Sequence, residues 1–249
     1  MHSTNYIIRF ILILTAFVAV VLAFLSTGLK PIHDRNEALY NKRAILEALG
    51  TQLDNSDQKL DNNKILEIFK NQIQQQAIDA KGNLVDESAI KSKGYPSGLP
   101  EDIDMAKEEK LPLADRIYPV YIYTKSNGEK IYIVSVRGKG LWDAIWGNIA
   151  IKDDLRTIAG VSFDHKGETP GLGAEIKDNA SWKQQFVGKT FEDKEGHFTS
   201  VKVVKGGAKN DINEVDGISG ATITGEGVNK MLNSGLAVYI PYFNHVEKK

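Results

Sequence analysis

Between Phe10 and Leu25, sixteen residues carry a single polar side chain, Thr15, and Ser26 to Leu29 extend the run to twenty. At 1.5 Å per residue, twenty residues cover about 30 Å, the hydrocarbon thickness of a bilayer. Lipid offers no partners to backbone N–H and C=O groups, so such a run must be a helix that satisfies its own. A cleaved signal peptide is the competing reading. The run exceeds the usual apolar core of a signal, however, and Ala23-Phe24-Leu25 is a poor small-x-small cleavage site. Residues 1–30 therefore read as one uncleaved N-terminal transmembrane anchor. Flanking charge does not orient it. Arg9 and the amino terminus lie on one side, and Lys30, Arg35, Lys42 and Arg43 lie on the other with Asp34 and Glu37 among them. That count leans slightly towards a cytoplasmic C-terminal part.

The remainder of the 249 residues has room for one or two compact units of about 100–150 residues. With 31 basic and 32 acidic residues and no basic stripe, nothing electrostatic points to nucleic acid. The chain has no cysteine, which removes disulfides, thiolate nucleophiles, iron–sulfur clusters and Cys-ligated zinc together. If this protein moves electrons, an organic cofactor must carry them.

Residues 31–112 read as a helical and loop region. Asp34 with Glu37 resembles a capping box for a helix bearing Leu39, Ile45, Leu46 and Leu49, with Gly50 as its stop. A second helical pattern runs from about Asp61 through Ile65, Leu66, Phe69 and Ile73 into a Gln-rich tail. Residues 76–110 are polar, punctuated by Gly94-Tyr95-Pro96 and Gly98-Leu99-Pro100, and read as a connector with little regular structure. Strands begin near Leu113. Val120–Thr124 and Lys130–Val136 flank Asn127-Gly128, a two-residue hairpin signal. Asn148–Lys152 and Arg156–Phe163 form a second pair, and Ser200–Lys205 a further short strand. Asp178 is placed to cap a helix on which Trp182 and Phe186 sit four apart. The expected class is α+β, an antiparallel sheet with helices packed on one face, in a domain over 113–249 behind the N-terminal helix.

Two Gly-rich segments carry the chemistry. In Asp216-Gly-Ile-Ser-Gly-Ala-Thr-Ile-Thr-Gly225, small residues precede Thr222. Val228, Met231 and Leu232 beyond it have the spacing of one apolar helix face. A helix start of this kind favours a phosphate, though the same stretch is also an ordinary cap with Thr as the cap residue. The second, Asp164-His-Lys-Gly-Glu-Thr-Pro-Gly-Leu-Gly-Ala174, fits neither a P-loop nor a dinucleotide fingerprint. It reads either as a surface turn or as a rigid loop laid against a flat ligand, with Leu172 on its face and Glu168 or Thr169 bonding its edge. His165 and Glu168 form a lone His–Glu pair. Histidines 2, 33, 197 and 245 are scattered, so no metal site is expected. No nucleophile elbow is present. Trp142 and Trp146 could share a helix face or begin a strand.

Asp216-Gly-Ile-Ser-Gly-Ala-Thr222 resembles the flavinylation motif of the FMN-binding domain family, and Glu168-Thr-Pro-Gly-Leu-Gly173 resembles its flavin-contacting loop. Three further features extend the likeness: the single anchor, the Asn-Lys-Arg-x-Ile-Leu-x-Ala-Leu-Gly helix ending at Gly50, and Arg137-Gly-x-Gly-Leu-Trp142. Together they are similar to the C-subunit family of sodium-translocating NADH:quinone oxidoreductases, over nearly the whole chain and most weakly over 51–110. The resemblance implies FMN joined to Thr222 by a phosphodiester and installed by a separate flavin transferase that uses FAD and magnesium. Ser219, Gly220 and Ala221 would hold the phosphate. Glu168, Thr169, Pro170, Gly171, Leu172 and Gly173 would lie along the isoalloxazine, with Trp142 and His165 beside them. Thr224 is the rival acceptor. The family also implies partner subunits of a membrane complex, electron transfer coupled elsewhere to sodium transport, and a C-terminal domain on the periplasmic side of a bacterial inner membrane. Two alternatives stand beside it: the equivalent flavoprotein of the Rnf ferredoxin:NAD complex, and a membrane-tethered binding module without redox chemistry.

Overall fold

The computed structural model describes residues 3–54, 60–209 and 212–248, and it divides into two units, Met1–Asn41 and Lys42–Lys249. Of the histidines named above, His2 lies outside the described residues.

Helix α1 (Thr4–Leu49) contains one apolar window long enough to cross a membrane, none of it buried in protein. The expected break at Asp34 does not occur. Asp34 accepts from Lys30 Nζ at 3.2 Å on the helix surface instead of capping a new helix. Pro31 lies inside α1, where its ring removes a single N–H from the ladder. The end is where expected: Gly50 adopts φ +51° and leads into a 3₁₀ turn over Gly50–Gln52.

In the second unit α2 (Asn62–Asn71), capped by Asp61 through its bond from Lys64 N, runs directly into strand β1 (Ile73–Asp79). This corrects the expectation of a connector over 76–110. β1 pairs along its whole length with β3 and carries β2 (Leu84–Val85) on its outer edge; α3 (Glu87–Ser92) and α4 (Met105–Glu108) follow. The glutamines that disguise β1 are satisfied by side chains: Gln76 accepts from Tyr242 Oη at 2.7 Å and Gln75 donates to Glu101 at 2.8 Å. Ala77 and Ile78 take the buried positions.

β3 (Ile117–Thr124), β4 (Lys130–Lys139), β5 (Ala144–Ile151) and β6 (Ile158–His165) form an antiparallel meander. The sheet order is β2-β1-β3-β4-β5-β6. The Asn127-Gly128 hairpin is present with a longer loop than expected. Lys125 N still pairs with Glu129 O, and Gly128 sits at φ +88°, the geometry of a turn ending in a bulge. Trp146 lies in β5 and Trp142 in the turn before it.

After β6 come α5 (Glu175–Asp178) and α6 (Ala180–Gln184), the parallel pair β7 (Lys202–Val204) and β8 (Glu214–Asp216), then α7 (Thr222–Ala237) and α8 (Ile240–Glu247). The α6 cap is Asn179, one residue beyond Asp178, accepting from Trp182 N at 3.0 Å. Trp182 and Phe186 pack edge to face at 5.1 Å. Helices cover both faces of the sheet, not one. Val228, Met231, Leu232 and Leu236 of α7 pack with Val134, Val136, Ile145 and Ile149 on one side. Ile45, Leu46 and Leu49 with Ile65 and Phe69 pack against Tyr121, Ile131 and Ile133 on the other. The alternation of strand side chains explains it: β3 from Ile117 to Tyr123 and β4 from Ile131 to Val134 are apolar and buried at every position, so each face needs a cover.

Candidate functional site

Three separated segments meet at one side chain. Glu168 is 5% exposed. Its Oε1 accepts from Trp142 N at 2.9 Å and Asp143 N at 3.4 Å, and its Oε2 accepts from Leu141 N at 3.2 Å and Thr224 Oγ1 at 2.6 Å. Burial alone would raise its pKa. The Thr224 hydroxyl and the three backbone N–H groups outweigh that and hold the carboxyl below its ordinary value. The turn after β4, the loop after β6 and the first turn of α7 are thus tied to one carboxylate. Its oxygens are turned into the protein.

Close backbone approach makes this possible. A Cβ at Gly173 would stand 2.3 Å from Thr224 Oγ1, one at Gly140 2.7 Å from Glu168 Oε1, and one at Gly227 2.3 Å from Lys139 O. Thr169-Pro170-Gly171-Leu172 is a tight turn closed by Leu172 N to Thr169 O at 3.0 Å, with Gly171 at φ +80°. Glu175, which the motif reading did not include, fastens this turn by accepting from Gly171 N and from Gly173 N. Those backbone bonds lower its pKa. A carboxylate in the first turn of a short helix is the signal that could have found it. His165 is likewise internal to the loop, its Nδ1 accepting from Glu168 N at 3.1 Å.

The two Gly-rich segments touch. Gly220 sits at φ +81°, and a Cβ there would lie 2.4 Å from the carbonyl oxygen of Gly171. Gly220→Ala should therefore cost about 2 kcal/mol through the left-handed backbone and the contact together. Urea unfolding checks this, an unchanged midpoint counting against the contact. Asp216 does not face this junction with its carboxylate. It accepts from Ala208 N at 2.7 Å, while its carbonyl takes the Trp182 Nε1–H at 2.7 Å. Asn229 on α7, also unforeseen, clasps both backbone groups of Val203 at 2.6 and 3.0 Å and so fixes α7 against β7.

The two threonines have opposite surroundings. Thr224 is 0% exposed and bonded to Glu168, with the Leu172 carbonyl at 3.2 Å as a second acceptor. Thr222 is exposed, as are Ser219 and Gly220, while Ala221 is buried. Thr222 opens a 16-residue helix whose cap position, Ala221, offers no side-chain bond. The first N–H groups of α7 are thus free of the cap that Asp, Ser or Thr would give, and its positive end faces the exposed hydroxyl. Large apolar side chains stand exposed on the same three segments: Trp142, Leu172 and Ile223, at 62, 42 and 55%. A hydroxyl at a helix start, beside glycine backbones and bare apolar groups, suits a ligand with a phosphate and a flat body.

The chain is similar to known proteins over this region and beyond. A family model described as FMN-binding domain matches residues 140–237. The C subunit of the Na(+)-translocating NADH-quinone reductase of Pseudomonas aeruginosa is 30% identical over 246 residues, covering 93% of this chain and 91% of that protein. The corresponding protein of Neisseria meningitidis is 32% identical, covering 95 and 92%. Among solved structures, the C subunit from Parabacteroides distasonis aligns with a TM-score of 0.71 and 30% identity over 86% of this chain and 96% of that one. NqrC of Shewanella oneidensis aligns with a TM-score of 0.71 at 26% identity, covering 86 and 100%.

Proposed function

The chain belongs to the family of C subunits of the Na+-translocating NADH-quinone reductases, and on that premise we propose that it is the electron-carrying member of such a complex, with FMN joined by a phosphodiester to Thr222. The observation that carries this is the contrast between the exposed hydroxyl of Thr222 at an uncapped helix start and the buried, bonded hydroxyl of Thr224.

In this reading Thr222 Oγ1 is the only one of the two hydroxyls that a flavin transferase reaches. Ser219, Gly220 and Ala221 present backbone to the phosphate, and the dipole of α7 favours its charge. Trp142 and Leu172 supply the apolar surface for the ring system, with Thr169, Pro170, Gly171 and Gly173 setting the position of Leu172. Glu168 and His165 act from inside the loop: Glu168 fixes the three segments to one another and His165 holds the Glu168 N–H. FMN, once attached, supplies one- and two-electron transfer, which matches a chain without cysteine to hold an iron–sulfur cluster. A covalent link keeps the carrier through repeated oxidation and reduction. The apolar window of α1 fits a single-pass anchor in a bacterial inner membrane, with the remainder of the chain on the periplasmic side among the other subunits.

Co-production with a matching flavin transferase, followed by intact-mass measurement, tests the reading. A gain of one FMN less one water is expected, with yellow fluorescence that survives denaturation. An unchanged mass, with the transferase active on a control substrate, would favour the tethered binding module.

A further inference from the structure

A cavity of about 380 Å³ lies between α4, the start of β3, the far end of β4 and the C-terminal half of α7. It is remote from Thr222. Ser234 and Val238 in its wall stand twelve and sixteen residues further along the chain, roughly 18–24 Å at the rise of a helix. Small-molecule sites begin at about 300 Å³.

Two buried polar atoms in its wall lack hydrogen-bond partners among the described residues, Tyr118 Oη and Arg137 Nε. Tyr118 is 4% exposed, its ring held edge to face against Tyr239 at 5.8 Å. Leaving a buried hydroxyl unbonded destabilises the fold, and phenylalanine would avoid that. The neighbouring charges do not cancel. Glu108 is committed to Lys93 Nζ at 3.1 Å, Tyr95 Oη at 2.7 Å and Ile117 N at 2.8 Å. Glu109 faces Arg137 Nε at 3.3 Å as a charge contact. Arg116 donates to the carbonyls of Leu111 and Glu109, both at 2.8 Å, its guanidinium lies beside the Tyr118 hydroxyl, and it has no ion pair among the described residues. One guanidinium charge is therefore left over beside the unbonded hydroxyl. Met105, Leu113, Val136 and Val238 give the wall its large apolar side chains, with Ser135 and Ser234 between them.

We infer that this cavity is a binding site for a small organic monocarboxylate with an aliphatic body. The carboxylate takes the Tyr118 Oη–H and the charge of Arg116, as charge-assisted hydrogen bonds favour, and the chain lies along Met105, Leu113, Val136 and Val238. A purely apolar ligand would leave Tyr118 unbonded, and a dianion would meet Glu109.

Hexanoate is the probe, with 1-hexanol as its neutral match. Each is titrated by calorimetry into the full-length chain in nanodiscs, in wild type and Tyr118→Phe. Saturable hexanoate binding is expected, at least tenfold tighter than hexanol and weakened about tenfold in Tyr118→Phe. The same variant should keep or raise the melting temperature, since it removes an unbonded hydroxyl, so lost binding is not lost folding. No saturable binding in wild type, equal binding of hexanol, or equal affinity in Tyr118→Phe would each overturn the inference and leave a water-filled cavity. None of these outcomes depends on flavin attachment.

Discussion

Thr222→Ala is expected to abolish covalent flavin entirely while leaving the fold intact. Its side chain is exposed and makes no capping bond, and surface substitutions of this kind shift stability by about 0.5 kcal/mol or less. Thr224→Ala should behave in the opposite sense. It removes the 2.6 Å bond to a buried carboxylate, a loss of about 1.5–3 kcal/mol, yet leaves the acceptor hydroxyl in place. Intact mass and thermal unfolding on both variants separate the two. If Thr222→Ala still gains the FMN mass, or if Thr224→Ala loses it without loss of stability, the assignment of the acceptor is wrong.

The second large effect falls on Glu168. In Glu168→Gln one oxygen remains, but an amide N–H₂ now confronts donors where an acceptor stood. Three backbone N–H groups and the Thr224 hydroxyl share what is left. A loss of about 3 kcal/mol follows, or roughly 6–12 °C in a unit of this size. The effect should also depend on pH. The folded carboxyl ionises more readily than its ordinary value of 4.5, so its contribution is complete above that pH and vanishes as pH falls through the lower folded-state value. Wild type should therefore destabilise through this acid window while Glu168→Gln changes less. Parallel curves for the two proteins would rule out an ionised Glu168 as the link between the three segments.

The parts of the fold legible in the sequence were those that depend on local pattern. The apolar run of α1, the Asn127-Gly128 turn, the helix behind Thr222 and the stop at Gly50 each rest on a few adjacent residues. β1 was hidden because Gln74, Gln75 and Gln76 break the alternation that marks a strand, and the partners Glu101 and Tyr242 are distant in sequence. The cap box at Asp34 misled because Lys30 offers the same carboxylate an ion pair within a continuing helix. At the site, the sequence brought forward the residues of both Gly-rich segments. It could not tell that Glu168 faces inward, because the backbone donors of 141, 142 and 143 belong to a different strand connection. Nor could it separate Thr222 from Thr224 by exposure.

The closure of the sheet has a temporal side. Tyr239 donates to the carbonyl of Ser135, 104 residues earlier, and Gly138 and Gly235 let α7 pack directly on β4. The β3–β6 meander is built of neighbours and forms early, but contacts of such long range are made late. As the chain is synthesised from its amino terminus, the hairpins precede the helix that bears Thr222, and that helix is locked only once Tyr239 has been added. A nascent or truncated chain ending before Tyr239 therefore offers the Ser-Gly-Ala-Thr sequence without the shape around it, and under the proposed attachment at Thr222, loading with flavin would be a late check that this last helix is in place.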